Sequence, residues 1–467
     1  MAEYDPGSFR DPESRVLVGE GRVCRGLSEA ALLDWEALEA TRFFPKAMAE
    51  GRIVETTLAP PAEIQDLIHA PAQDWAAILE HRRVPFLSYP YEWSFGMLKD
   101  AALSQLDLLL DALGEGLILK DASAFNTQWI GSRPVFIDVG SFRRFGPGEP
   151  WEGYRQFCQM FLFPLQLQAY KGVAFQPWLR GSIDGISPEE MSRLLSKRDL
   201  LRAGVLLHVV MQARLQERYG GTDRSIRDDL RKGGFNADMV GATVVRMRKL
   251  VAGLDWKVGR SEWSEYSEEH SYDNEDFSLK EDFVAEVASQ QRWRQVWDLG
   301  CNTGHFSRLA ARHSDCVIAM DIDHLAVDRL YRQLRAENEE KILPLVMNLA
   351  QPSPGLGWRG EERRSLLTRG KPDLTLCLAL IHHLVLTATI PIPEVLRFLA
   401  SLGGDFVIEF PTRDDPMVEK LLLHKSQKHE DYNRQEFERH LSTVFSVNKS
   451  MKIGSGTRYL YHATADS

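Results

Sequence analysis

The sequence predicts two folded parts, an α+β domain over residues 1–255 and an α/β domain over residues 291–467. Three observations carry this. At 467 residues the chain is too long for one ordinary core. From residue 291 short apolar runs alternate with amphipathic stretches, the pattern of a parallel sheet with helices on both faces. Between the two parts, "EWSEYSEEHSYDNEDFSLKED" (262–282) is acidic and poor in aliphatic residues. Residues 256–290 are therefore expected to be a linker, or a lid over the following site because of their Tyr and Trp residues.

In the first part, residues 15–24 read as a hairpin around Gly19 and Gly21, and 28–40 as a helix capped by Ser28. The apolar spacing of 96–113 predicts a long helix. Leu117–Leu119 and Val135–Ile137 read as short strands flanking a loop, with helices near 152–170, 188–218 and 236–253. In the second part, strands are expected at 296–299, 317–320, 343–347, 373–378 and 405–410. Helices are expected near 305–313, 324–338, 360–368 and 392–401. Two last strands, 444–449 and 457–462, are too close together for a helical crossover and should pair antiparallel.

Composition narrows the function. Apolar residues make up 44% and charged residues 26%, as in a globular protein. A net charge of −10 argues against a general nucleic-acid binder. The five cysteines form no CxxC, so reduced thiols, a cytoplasmic setting and no zinc site are expected. The N-terminus has no apolar signal core, and no apolar run reaches the ~18 residues of a membrane span.

The clearest chemistry lies in "VWDLGCNTGHFSRLAARHSDCVIAMDID" (296–323). An apolar strand ends at Asp298. Gly300 allows a sharp turn and a close approach by a ligand, and Gly304 lets a helix start against the strand. The spacing D-x-G-x-x-x-G is not the G-x-G-x-x-G of dinucleotide sites. An acid before a shorter glycine turn suits a ligand with a cationic amino-acid end. The next strand ends at Asp321, where a carboxylate can accept hydrogen bonds from both ribose hydroxyls. Together these parts predict a Rossmann-like sheet with a nucleoside in the crevice at the strand ends. His382 and His383 follow the fourth strand. One could be a base for a hydroxyl acceptor, or they could pack or cap the strand end. Glu409, Arg413, Asp414 and Asp415 are weaker candidates for the acceptor side.

A second pattern is "LKDASAFNTQWIGSRPVFIDVGSF" (119–142). Asp121, Asn126 after four intervening residues, and Asp138 at the end of "PVFID" form the set with which kinase-type phosphotransferases place an acceptor hydroxyl and hold Mg²⁺ against a nucleotide. No His precedes Lys120-Asp121 and no glycine-rich loop is found upstream. Lys46 and Lys99 are the upstream phosphate-binding candidates. Glu92, among the aromatics of "YPYEWSF" (89–95), lies either in a sugar-stacking pocket or in the core with its carboxylate satisfied.

On "DLGCNTG" (298–304), "AMDID" (319–323), "LVMNLAQPSP" (345–354), "PDLTLCLALIHHL" (372–384) and "FVIEFP" (406–411), the C-terminal half resembles class I S-adenosylmethionine-dependent methyltransferases. That resemblance implies that Asp298, Gly300 and Gly304 shape the methionine pocket, with Cys301, Asn302, Leu349 and Leu378 lining the site. It implies Asp321 on the ribose, Ile322 against the adenine, Asn348 facing the adenine amino group, and no metal in this domain. Asn302 stands where a glycine is commoner and Asn348 where an aspartate is commoner. "KDASAFN…IDVG" resembles the catalytic loop and metal-binding strand of kinases, which implies a kinase-like N-terminal domain that is either degenerate or loaded with Mg-ATP.

The whole chain is similar to the bacterial methyltransferases related to NoeA-type nodulation proteins. The residues are "SFRDPESRV" (8–16), "FLSYPYEWSFGMLKDAAL" (86–103), "LKDASAFNTQW" (119–129) and "PWEGYRQFCQMFLFPLQL" (150–167), besides those above. The resemblance implies a cytoplasmic methyltransferase acting on a small-molecule, saccharide or secondary-metabolite acceptor, at oxygen. A bifunctional kinase/methyltransferase and a non-catalytic scaffold are the competing expectations. The sequence fixes neither the acceptor atom nor the oligomeric state.

Overall fold

The computed structural model describes residues 3–19, 21–60, 75–146, 148–213, 236–257, 274–423, 429–453 and 456–466. The chain divides into two compact units. The first comprises Met1–Trp129, Pro134–Lys257 and Gly355–Arg363, and the second Ile130–Arg133, Val258–Pro354 and Arg364–Ser467.

The first unit opens with strands β1 (Glu3–Tyr4), β2 (Ser14–Gly19), β3 (Arg22–Leu27), β4 (Thr56–Leu58) and β5 (Ala77–His81). They form one antiparallel sheet in the order β1-β2-β3-β5-β4. The expected hairpin is β2–β3, turning through Gly21 at φ +82. A cluster of Leu17, Cys24, Ala59, Trp75 and Ile78 packs on this sheet. At Gly26 a Cβ would lie 2.4 Å from the Trp75 ring, so only glycine fits there. Ser28 caps the Glu29–Glu39 helix by accepting the Ala31 N–H. The Phe95–Gly114 helix buries Met97, Leu98, Ala101, Leu108 and Leu109, the face its apolar spacing requires. It is followed by β6 (Leu117–Leu119), the hairpin β7 (Thr127–Ile130) and β8 (Arg133–Phe136), and β9 (Phe142–Arg144), which pairs with β6.

Two expectations here are corrected. The N-terminal β part is larger than a hairpin, because β4 and β5 are too short to show a period. The helix expected over 188–218 is broken: Pro188–Leu194 is α-helical, Lys197–Leu201 is a 3₁₀ turn and Val205–Val210 is a π-turn. Gly204 at φ +79 interrupts the α run. Residues 214–218 lie outside the described residues.

The second unit is built on β10 (Trp293–Leu299), β11 (Ser314–Asp321), β12 (Ile342–Val346), β13 (Leu374–Cys377), β14 (Asp405–Pro411), β15 (Phe445–Ile453) and β16 (Arg458–Ala465). Their order is β12-β11-β10-β13-β14-β16-β15. The first five are parallel, and β16 runs antiparallel to both β14 and β15. This is the expected Rossmann-like α/β sheet with its antiparallel closing hairpin. Strands buried on both faces explain the near-continuous apolar runs, such as Ile342–Val346. The order reverses at β10, which opens a crevice between the carboxyl ends of β11, β10 and β13.

Two expectations for the C-terminal half of the chain are also corrected. Residues 274–288, within the segment expected to be a linker or lid, form a helix. Phe283, Val284, Val287 and Ala288 recur on one face of it and join the core with Trp293, Val296 and Leu376. Residues 258–273 of that segment lie outside the described residues. The helix expected over 360–368 does not form. Only the three-residue turns Trp358–Gly360 and Leu366–Thr368 are present, since Gly357, Arg359 and Gly360 all have positive φ. Among the described residues, no helix is long and apolar enough to cross a membrane.

Candidate active site

The glycine turn begins where β10 ends. Gly300 and Cys301 both donate to the Met320 carbonyl, at 2.8 and 3.0 Å, so the turn folds toward the end of β11. Gly300 has φ +83, and the nearest atoms to a Cβ there would be the Leu378 carbonyl and the Leu380 side chain, at 3.8 Å. A methyl group at Gly300 would thus sit in ordinary contact with the turn after β13. Gly304 does different work. At φ +80 it caps the His305–Ala311 helix, and a Cβ on it would lie 2.6 Å from Leu330.

Asp298 is buried, and its Oδ2 accepts from the Ser307 hydroxyl at 2.6 Å. Burial pushes its carboxyl up to about 6, against the Ser307 hydrogen bond that pulls it down. Asp321 is half-buried at the end of β11. Its two oxygens accept the N–H groups of Asn302 (2.8 Å) and Asp323 (2.9 Å). Desolvation still holds its carboxyl above the ordinary range. Asn302 adopts φ +47, and its buried Oδ1 has no hydrogen-bond partner among the described residues. This gives the asparagine a backbone role: its N–H fixes the carboxylate.

The other expected cofactor residues lie at the same strand ends. Cys301 and Leu378 are buried and Ile322 is exposed. Leu349 and Asn348 are half-buried, and Asn348 Oδ1 accepts the Ala350 N–H at 2.9 Å, so its carbonyl oxygen is engaged in a turn. His382 is fully buried, with both ring nitrogens lacking a hydrogen-bond partner among the described residues. Its ring lies against that of His383, tilted by 41° with centroids 4.1 Å apart. Burial holds both imidazoles below their ordinary range, His383 at about 4, so both are neutral at pH 7. Only His383, half-buried, has any exposure toward solvent.

Beneath the strand ends runs a buried charge network that sequence reasoning only touched. Glu409 Oε2 lies 2.6 Å from Lys280 Nζ and accepts the Ala379 N–H at 2.9 Å, while Oε1 lies 2.9 Å from Arg458. Arg458 in turn holds Asp415 at 2.6 and 3.0 Å. Glu409 and Asp415 are therefore committed to internal ion pairs. Ser307, Lys280 and Arg458 were missed. Lys280 carried a signal: it falls at helical spacing with Phe277, Val284 and Val287, a lysine on an apolar face.

In the first unit, Asp121, Asn126 and Asp138 are brought to one place. Asp121 is raised by burial and by the Asp138 charge, and lowered by Ser123, Asn126 and Gln156. The Asn126 amide nitrogen nonetheless makes no hydrogen bond of normal geometry among the described residues. Asp138 Oδ1 is paired with the buried Arg25 of β3 at 2.9 Å. Arg25 was missed in the sequence. Lys99 instead donates to the Leu254 carbonyl, and Lys46 lies 3.8 Å from Glu50. Glu92 is core, its carboxylate accepting the Tyr89 N–H at 3.0 Å. Among the described residues no cluster of His, Cys, Asp and Glu could hold a metal.

No family model matches the chain. It is 33% identical over 457 residues to the nodulation protein NoeA of Rhizobium meliloti (strain 1021), covering 97% of this chain and 94% of that protein. The chain belongs to the NoeA family. The second unit of this NoeA-family chain is a Rossmann-like α/β sheet closed by an antiparallel hairpin. The chain is also similar to the N-methyltransferase NodS from Bradyrhizobium japonicum WM9 in complex with S-adenosyl-L-homocysteine. That likeness has 12% identity over 44% of this chain and 100% of that one, with a TM-score of 0.33. A further likeness is to the magnesium protoporphyrin IX methyltransferase ChlM from Synechocystis PCC 6803 with bound SAM, at 15% identity over 45% of this chain and 88% of that one, with a TM-score of 0.29.

Proposed function

We propose that this chain is an S-adenosylmethionine-dependent methyltransferase acting on a hydroxyl of a small polar acceptor, a saccharide or secondary metabolite. The observation that carries the reading is Asp321. Its carboxylate is held by two backbone amides at the end of β11, yet desolvation keeps it above its ordinary range. Two ribose hydroxyls would supply the donors it lacks. Gly300 leaves a gap for the amino-acid end of the donor, and the exposed Ile322 offers an apolar face to an adenine. When bound, S-adenosylmethionine supplies an electrophilic methyl group. The protein's part is to hold donor and acceptor in line and to keep water out.

The proton of the acceptor goes to His383 in this reading, because His382 has no exposed surface. A neutral imidazole accepts a hydrogen bond at pH 7, and its low pKa makes it an orienting group more than a strong base. The Asp121–Asn126–Asp138 cluster favours a kinase-like ancestry for the first unit. The Arg25–Asp138 ion pair engages one oxygen of the carboxylate that Mg²⁺ would need, which weighs against the bifunctional reading.

The test is incubation of the full chain with S-adenosylmethionine and a pool of small polar metabolites, followed by mass spectrometry. Gain of one methyl group by a hydroxylated compound is expected. Absence of donor binding by calorimetry would leave only the scaffold reading.

A further inference from the structure

Among the buried groups that the proposed chemistry does not use, Glu409 is the most heavily engaged. It is fully buried at the end of β14 and lies between two cations from different elements, Lys280 of the Asn274–Ala288 helix and Arg458 of β16. It also accepts the N–H of Ala379, which sits at φ +50 just after β13. That is a costly conformation for a residue with a Cβ, and it persists only where its surroundings hold it. The residues on either side of Ala379 are those that face Gly300: the Leu378 carbonyl and the Leu380 side chain are the nearest atoms to its missing Cβ.

We infer that Glu409 is a positioning residue for the donor pocket. It holds the strained turn at Ala379, and that turn sets the distance between Leu378–Leu380 and the glycine turn. Lys280 and Arg458 pair with Glu409 at 2.6 and 2.9 Å and fix the direction of its carboxylate. The inference rests on the proposed donor site and adds to it a residue that touches neither donor nor acceptor. A charged acceptor holds an amide more firmly than a neutral one.

The test uses the full chain and S-adenosylhomocysteine as the probe, with affinity read by calorimetry and folding by circular dichroism. Glu409→Gln keeps the size of the side chain and removes its charge. It is expected to fold and to bind the probe at least tenfold more weakly than the unaltered chain. Ala379→Gly makes positive φ free of strain, so the turn no longer needs to be held. In the Glu409→Gln background it is expected to recover most of the lost affinity. A residue that merely stabilised the core would give no such recovery. The inference is overturned if Glu409→Gln binds as tightly as the unaltered chain, or if adding Ala379→Gly restores nothing. If Glu409→Gln does not fold, Glu409→Asp takes its place. It keeps the charge but is one methylene short of Ala379, and the same loss and recovery are expected; equal affinity or no recovery overturns the inference. If the unaltered chain binds no probe at all, the donor-site reading fails and the inference falls with it.

Discussion

The backbone N–H of Asn302 donates to Asp321 Oδ2 at 2.8 Å, tying the turn after β10 to the end of β11. The carboxylate is thereby oriented before any ligand arrives. Asp321→Ala removes the acceptor of two charged hydrogen bonds. Donor affinity should fall by roughly 1.5–3 kcal/mol. Calorimetry with S-adenosylhomocysteine measures this, and an unchanged dissociation constant would remove Asp321 from the site.

The two glycines of the turn should separate cleanly. Gly304→Ala places a Cβ 2.6 Å from Leu330 at φ +80, so stability should fall by about 2–4 kcal/mol, combining strain with overpacking. Gly300→Ala meets nothing closer than 3.8 Å and should cost only about 1–2 kcal/mol for its φ of +83. It puts a methyl group in the donor gap, however, and should weaken donor binding more than its stability cost suggests. Thermal unfolding and calorimetry on both variants check the contrast.

Asp298 makes stability depend on pH in an uncommon direction. Its folded pKa of about 6 lies above the unfolded value, which is about 3.9. Between those values the folded chain holds a proton that the unfolded chain has lost. The contribution of this group therefore falls as pH rises from about 4 to about 6, and its full cost is present above that. Asp298→Asn removes the dependence while keeping an acceptor for Ser307. Relative to the unaltered chain, the variant should gain roughly 2–3 kcal/mol between pH 4 and pH 7, two pKa units at about 1.4 kcal/mol each. Urea unfolding at both pH values measures it; a difference independent of pH would show that Asp298 keeps an ordinary pKa.

Lys280→Met leaves Glu409 with one cation in place of two. Breaking a buried ion pair from one side costs about 3–5 kcal/mol. Removing both charges, with Glu409→Gln added, should cost less than the sum of the single changes. A double-mutant cycle by chemical unfolding tests this, and simple additivity would contradict the pairing at 2.6 Å.

The Arg25–Asp138 pair predicts that titration with Mg-ATP gives no saturable heat. Saturable heat that disappears in Asp138→Ala would instead establish a working nucleotide site in the first unit.

The second unit was largely legible because its signals are local. Gly300 and Gly304 mark a turn, Asp321 ends the next strand, and strands buried on both faces read as apolar runs. What was not legible depends on partners distant in sequence. Lys280 was read as part of an acidic spacer because its partner, Glu409, is contributed by a strand 129 positions later. Arg25 gave no sign of meeting Asp138, because only the sheet order brings β3 to that loop. β4 and β5 were missed because three and five residues are too few for a period to emerge. The helix expected over 360–368 failed because backbone conformation at Gly357, Arg359 and Gly360 outweighed apolar spacing.

All five cysteines are free and buried, and burial raises the thiol of Cys301 well above its ordinary range and that of Cys377 as well. A thiol needs both exposure and ionisation to react, so maleimides and peroxide should modify the native chain only slowly, through local opening. Cys301 lies inside the glycine turn, so the rate at which it becomes labelled clocks how often that turn breathes. A nucleoside seated there would slow the clock, which makes alkylation a footprint of occupancy that needs no acceptor.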